Sequence, residues 1–351
     1  MSDIDLIRDS VRRFAREVVG PALGDLNHFP DRPLPATIVP GLAELGLLDD
    51  EIDPTLLSAA LSELAEFAAA PATLVLAHAF ARQLVREAGG DRAKALLAVN
   101  GGGLFAAPLY AEPDLADDAP TLRRIGDRIE LDGVASFVVN APLARVLVLP
   151  VRDRRDGSGW VAVESNEPGV VVGEPLLTLG MRGCPTADVS FARARFPADR
   201  LICTSAEVAS RAARRLRGPG VAISAGILTS SVRTATEYAH ERYQGGGLII
   251  EHQEVRAILG RMIEDQALCQ ESSALLCQES LPDWRSLALF LRAKERAAHA
   301  ACDGVQLLGG NGYMEDYAQE RAMRDAKQAQ FFFGRTDVAR QDLTRIQGAA
   351  L

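Results

Sequence analysis

A chain of 351 residues is long enough for one large domain or two to three small ones, and for a sizeable buried core. With 48% hydrophobic and 24% charged residues and a formal net charge of −9, the composition is that of an ordinary globular protein whose bulk charge opposes nucleic acid and anionic membranes. The most apolar region, residues 67–85, is interrupted by Pro71, His78 and Arg82, which argues against a membrane span, and the acidic N-terminus lacks a signal-peptide pattern. Five cysteines show neither a CxxC nor a partnered histidine spacing, so they are expected to be reduced structural thiols of a cytoplasmic protein, with no metal site.

Residues 5–19 place Leu6, Val11, Phe14 and Val18 on one helical face, and Pro21 is expected to stop the run. After a Pro-rich link, helical patterns cover residues 42–48, 56–67, 74–88 and 92–99, punctuated by Pro54, Pro71 and Gly89-Gly90. These make an α-helical N-terminal domain over residues 1–104. Short β-branched runs then follow, around Ile129 and over 136–139, 145–150, 160–163, 169–172 and 189–191. Their alternation and turn spacing predict an antiparallel β domain over residues 105–203. Helices over 222–241, 252–278 and 287–308 supply most of a C-terminal four-helix bundle within residues 204–351. The expected architecture is mainly α with a central β domain.

The stretch from Ala301 to Gly334 carries the most information. An apolar helical pattern breaks at Gly309-Gly310-Asn311-Gly312, resumes with mixed charges and ends in three phenylalanines. A glycine cluster in that position is more often a helix cap than an anion cradle. Its context is distinctive, because GVQLLGGNGY followed by ERAMRDAK resembles the C-terminal signature of the acyl-CoA dehydrogenase family of flavoproteins. The resemblance spans the chain, taking in Gly180 to Thr186, the Tyr-Ala-His-Glu-Arg run ending at Arg242, and Glu251 to Gln253. One departure is a short segment between Leu48 and Ala60, where the family has a glycine-rich loop near the acyl chain.

The resemblance implies FAD as cofactor, an acyl-CoA as substrate, an electron-transferring flavoprotein as a further partner, and a set of site residues. In the family, counterparts of Arg242, Gln253, Gln306, Gly309 and Gly310 hold the adenine and diphosphate end of the FAD bound by a neighbouring subunit. A fixed, planar guanidinium suits that role. A phenylalanine of the family set is absent where Gly245-Gly246-Gly247 stands. The family's ring-binding Trp-Ile-Thr-Asn strand reads Phe137, Val138, Val139 and Asn140, and its Thr-Glu-Pro loop reads Ala111 to Asp118. Valine cannot donate the hydrogen bond threonine makes, and Asp117 adds a negative charge.

The catalytic glutamate of the family is replaced as well. Phe333 occupies its usual position, within Phe332-Phe333-Gly334-Arg335, and Leu216, beside Arg217, occupies the alternative one. Asp337, Glu315 and Asp316 read as solvated or capping acids, Arg335 as a partner for Asp337, and His240 and His252 as surface or packing residues. The pattern resembles the non-catalytic chain of heterotetrameric acyl-CoA dehydrogenases, paired with a homologous catalytic subunit; members of that group act on CoA thioesters of steroid side chains. Two alternatives stand beside it. One is a homo-oligomeric flavoenzyme with different chemistry, and the other a flavin-free scaffold or acyl-CoA binding protein.

Overall fold

The computed structural model describes residues 2–49, 52–98, 103–110, 119–153, 157–205, 207–278 and 280–350. A capping box between Ser2 and Asp5 opens α1 (Asp3–Phe14). The helical run then passes through Pro21 instead of stopping there. A π turn over Ala15–Val19 leads into α2 (Gly20–Asn27), with the Gly20 N–H bonded back to Ala15 O. Pro21 has no N–H for an i−4 carbonyl, and the widened turn absorbs that loss.

Four further helices complete the N-terminal part: α3 (Ile38–Glu44), α4 (Pro54–Phe67), α5 (Ala69–Ala88) and α6 (Gly90–Leu97). Asp53 caps α4 by accepting the Thr55 and Leu56 N–H groups. The α4–α5 break lies at extended Ala68, so α5 begins ahead of Pro71, which sits in a first turn that needs no N–H from it.

The β strands are β1 (Leu104–Ala106), β2 (Thr121–Ile125), β3 (Arg128–Val139), β4 (Ala144–Asp153), β5 (Gly157–Glu164), β6 (Val170–Val172), β7 (Thr186–Pro197) and β8 (Leu201–Cys203). They form one sheet in the order β6-β7-β3-β2-β4-β5-β8, with β1 beside β4. Most pairings are antiparallel, as the alternation implies. However, β1 and β2 run parallel to β4, which makes the sheet mixed. Because β1 enters from α6 and not from a hairpin, no tight turn constrains its direction.

Helix α7 (Glu207–Glu241) is 35 residues long and starts well before the pattern suggested, running through Pro219. Neighbours hold the helix together there: Ser273 Oγ donates to Gly218 O at 2.9 Å, and Gly218, Pro219 and Gly220 are all buried. At Gly226 the backbone of α4 comes so close that a Cβ would stand 2.3 Å from Ser62 O. The β9 (Tyr243–Gln244) and β10 (Gly247–Leu248) hairpin turns the chain into α8 (Gln253–Leu276), followed by α9 (Asp283–Leu308), α10 (Gln319–Ala329) and α11 (Thr336–Ala350). Buried residues from both helical parts and the sheet form one continuous apolar cluster. Among the described residues, no helix is long and apolar enough to cross a membrane.

His78 ties the helices to the sheet. The Phe105 N–H donates to its Nδ1 at 3.1 Å, which makes Nε2 the protonated nitrogen, 3.1 Å from Leu48 O. Burial lowers its pKa from 6.5 to about 4. The neutral ring therefore contributes stability that is fully present above pH 6.5 and lost as pH falls through about 4. Over that window the unfolding free energy is expected to fall by about 3 kcal/mol, from 1.36 kcal/mol per pKa unit. Urea melts of the wild type and of His78→Gln check this, since the variant should lose most of that slope.

Candidate functional site

Where β3 faces the end of α10 lies a cavity of about 570 Å³. One wall is Ala135, Ser136 and Phe137 of β3, a second is Leu177 to Leu179, and a third is Lys327, Gln328, Phe331 and Arg335, with Pro108, Tyr110 and Pro150 between them. Three bonds pin the second wall to α10. Arg324 Nη1 donates to Leu179 O at 3.0 Å, the Gly180 N–H to Gln328 Oε1 at 3.0 Å, and the Met181 N–H to Asp325 Oδ1 at 2.5 Å. Gly180 permits this approach, since a Cβ there would lie 2.3 Å from Arg324 O. Burial raises the Asp325 pKa, and burial likewise pushes the Tyr110 phenol well up.

Phe137 of the cavity wall is strained, as are Met181 and Phe333, which do not line it. Phe137 has φ +54°, Met181 φ +50° and Phe333 φ +55°, a region that costs a non-glycine residue about 1–2 kcal/mol. The ladder between β3 and β7 shifts register between Ala135 and Val138, and the Phe137 N–H is held instead by Asp188 Oδ1 at 2.9 Å. The consequence is that Phe137 turns out of the sheet, 51% exposed, while Val138 and Val139 are fully buried.

Most polar groups around the cavity are already engaged. Asn140 Nδ2 donates to Leu74 O and Phe105 O, and Thr178 Oγ1 to Gly180 O. Gln328 Nε2 donates to Tyr110 Oη at 3.0 Å while its Oε1 holds Gly180. Arg335 pairs with Asp337 at 2.5 Å, which lowers that acid's pKa, as the sequence suggested. An isoalloxazine carries a row of donors and acceptors along one edge, and burying them unmatched is costly. The described residues of this wall do not fit that edge. The counterpart of the family's Thr-Glu-Pro loop, residues 111–118, lies outside the described residues.

Both base positions are apolar and close together. Phe333 is buried, packed edge-on against Phe80 at 5.1 Å and tilted against Phe290 at 5.8 Å. A Cβ at Gly220 would be 3.4 Å from its ring, and Leu216 lies one turn earlier on the same face of α7. Phe332 stacks on Tyr110 at 6.0 Å. Lys294, 1% exposed, closes the turn by donating to Phe332 O at 3.0 Å and Gly334 O at 3.3 Å. Neighbouring Arg217 is buried and paired with Asp283 at 2.6 Å.

The implied diphosphate residues converge elsewhere. Helices α7, α8 and α9 are connected in antiparallel fashion, so Arg242 just past α7, Gln253 at the start of α8, and Gln306, Gly309 and Gly310 at the end of α9 lie at one end of the bundle. Asn311 Nδ2 donates to Tyr238 Oη at 3.1 Å and fastens the glycine turn to α7. All five residues are exposed, and the side chains of Arg242, Gln253 and Gln306 have no hydrogen bond or ion pair to another described residue. A guanidinium, two amides and the N-terminus of α8 suit a diphosphate. His240 and His252 are exposed and bonded to Thr236 O and Gln244 O. No cluster of three potential metal ligands occurs among the described residues.

Sequence reasoning assigned the bundle-end set and both base positions by resemblance. It named Phe137 and Arg335 as counterparts of family motifs, but not the cavity they line together with Leu177 to Leu179 and Lys327.

A sequence model of the acyl-CoA dehydrogenase C-terminal domain matches residues 206–347. Cyclohexane-1-carbonyl-CoA dehydrogenase of Geobacter metallireducens is 26% identical over 370 residues, covering 98% of this chain and 97% of its own. Butyryl-CoA dehydrogenase from Megasphaera elsdenii superposes with a TM-score of 0.85 at 20% identity, covering 100% of this chain and 98% of its own. A glutaryl-CoA dehydrogenase from Mycobacterium smegmatis in complex with FADH2 gives a TM-score of 0.85 at 18% identity, with 98% and 94% covered. Residues 206–347 thus match the C-terminal domain of the acyl-CoA dehydrogenases, and the whole chain carries the acyl-CoA dehydrogenase fold.

Proposed function

We propose that this chain is the subunit without a base in a hetero-oligomeric FAD-dependent acyl-CoA dehydrogenase. The observation that carries the proposal is a contrast. Phe333 stands in the base position, sealed between Phe80 and Phe290, whereas Arg242, Gln253 and Gln306 at the bundle end are exposed, their side chains bonded to no other described residue. A chain that binds and oxidises its own substrate needs a carboxylate within hydrogen-bond reach of the α-proton, and neither base position supplies one. A chain that serves a neighbour's cofactor needs only the exposed arms.

In this reading a homologous catalytic subunit supplies the base and the groups that hold the flavin ring. This chain contributes Arg242, Gln253, Gln306 and the Gly309-Gly310 turn to the diphosphate end. FAD, when bound, supplies the oxidant for α,β-desaturation of an acyl-CoA thioester. The acyl group is of the steroid side-chain class by resemblance to the paired-subunit enzymes, and an electron-transferring flavoprotein takes the electrons.

The test is an absorbance spectrum of the chain purified alone and after co-expression with a homologous dehydrogenase. A colourless chain that yields a yellow, active mixed oligomer is expected; a yellow, homogeneous protein alone would overturn the reading. Within the complex, Arg242→Ala is expected to weaken FAD retention about 10- to 100-fold, the worth of a charge-assisted hydrogen bond. Unchanged flavin occupancy on dilution would count against the arm.

A further inference from the structure

We infer that Tyr238 is a positioning residue, which holds the Gly309-Gly310 turn beside Arg242 so that the two engage one diphosphate. The inference rests on the bundle-end reading proposed above and adds to it the residue that keeps its parts in register. Tyr238 lies four residues before Arg242, one helical turn away. The Arg242 N–H donates to Tyr238 O at 2.9 Å, so the chain stays wound past the end of α7. Arg242 O in turn accepts the Ile249 N–H at 2.9 Å, which closes the β9–β10 hairpin and fixes the arginine backbone from its other side.

The glycine turn has an open side and a fastened side. A Cβ at Gly309 or Gly310 would meet nothing within 4 Å, whereas one at Gly312 would stand 2.4 Å from Val305 O, where the turn presses back on α9. Between them, Asn311 reaches across to α7, its Nδ2 donating to Tyr238 Oη at 3.1 Å. The Tyr238 ring also meets Tyr317 edge-on at 6.0 Å, which holds the segment just after the turn. The Met314 N–H donates to Asn311 O at 3.1 Å and the Tyr317 N–H to Met314 O at 3.3 Å, so a bonded backbone joins the two contacts. One tyrosine therefore ties the turn to the same helical turn of α7 that carries Arg242. Three glycines within residues 309–312 make an untethered turn conformationally broad, and ordering it on binding would cost affinity.

Two single variants and their combination test the inference. Tyr238→Phe keeps the ring and its contact with Tyr317 but removes the hydroxyl, and Asn311→Ala removes the other end of the same bond. In the full chain each is expected to speed amide hydrogen exchange over residues 311–318 about 2- to 10-fold, the worth of one neutral hydrogen bond. In the mixed oligomer each should speed FAD release, followed by flavin fluorescence on dilution, by a similar factor. The double variant should be no faster than either single one, since both remove one bond. A residue that only supported the fold would leave release from the folded oligomer unchanged. Wild-type release in Tyr238→Phe, where Arg242→Ala releases FAD faster, would overturn the inference, and so would unaltered exchange over residues 311–318. If Arg242→Ala also releases FAD at the wild-type rate, the bundle-end reading fails and this inference with it, so the arginine variant tells the two failures apart.

Discussion

Truncating Phe333 to alanine is expected to lower the unfolding free energy by about 3–5 kcal/mol, read as a fall in the urea midpoint at unchanged slope. The ring is 7% exposed and touches Phe80, Phe290 and the flank of α7 at Gly220. Little of this can collapse, because Lys294 and the Phe333 N–H bond to Leu109 O fix the turn that carries the side chain. Phe333→Leu should cost about half as much, since it keeps part of the volume. A loss below about 1 kcal/mol for Phe333→Ala would mean the ring fills no essential space. The position would then be open to substrate, and the contrast that supports a subunit without a base would weaken.

A second large effect is expected at Gly226. Its Cβ would stand 2.3 Å from Ser62 O and 2.9 Å from Ala65 Cβ, and the first of these belongs to the backbone of α4. No rotamer change relieves that contact, so Gly226→Ala must push α4 away from α7 along the most extensive helix pairing in the chain. A loss of about 3 kcal/mol is expected by denaturant melting, at the upper end of ordinary overpacking. Gly260→Ala is the control, because a Cβ there meets nothing within 4 Å and the exchange improves helix propensity. Similar midpoints for the two variants would show that α4 and α7 slide apart easily.

The sequence conveyed the three-part order of elements because the patterns change sharply near Leu104 and again after Cys203. Proline was the poorest guide. Pro21 and Pro219 look like breakers locally, but a π turn accommodates the first and burial among α8 and its neighbours accommodates the second. Parallel pairing of β1 and β2 with β4 was not legible either, since alternation reports which face is buried and not strand direction.

At the site, the identity of Phe333 was legible from the motif, but the aromatic packing that fills its surroundings was not. The same limit applies to Lys327 and Phe331. They sit next to a recognisable run, but the strand and loop that face them across the cavity lie more than a hundred residues earlier in the chain.

The docking of α4 on α7 also bears on how the chain is made. Residues 54–67 leave the ribosome with an apolar stripe whose main cover, residues 207–241, follows only after the whole sheet has been translated. At ~5–20 residues per second that interval is on the order of ten seconds, a long time for an uncovered helix face. Nascent chains paused between the end of the sheet and Glu207 should therefore engage holdase chaperones strongly, and extension past Glu241 should release them. On this view the helix that covers α4 is also the step that ends the exposure of its apolar stripe.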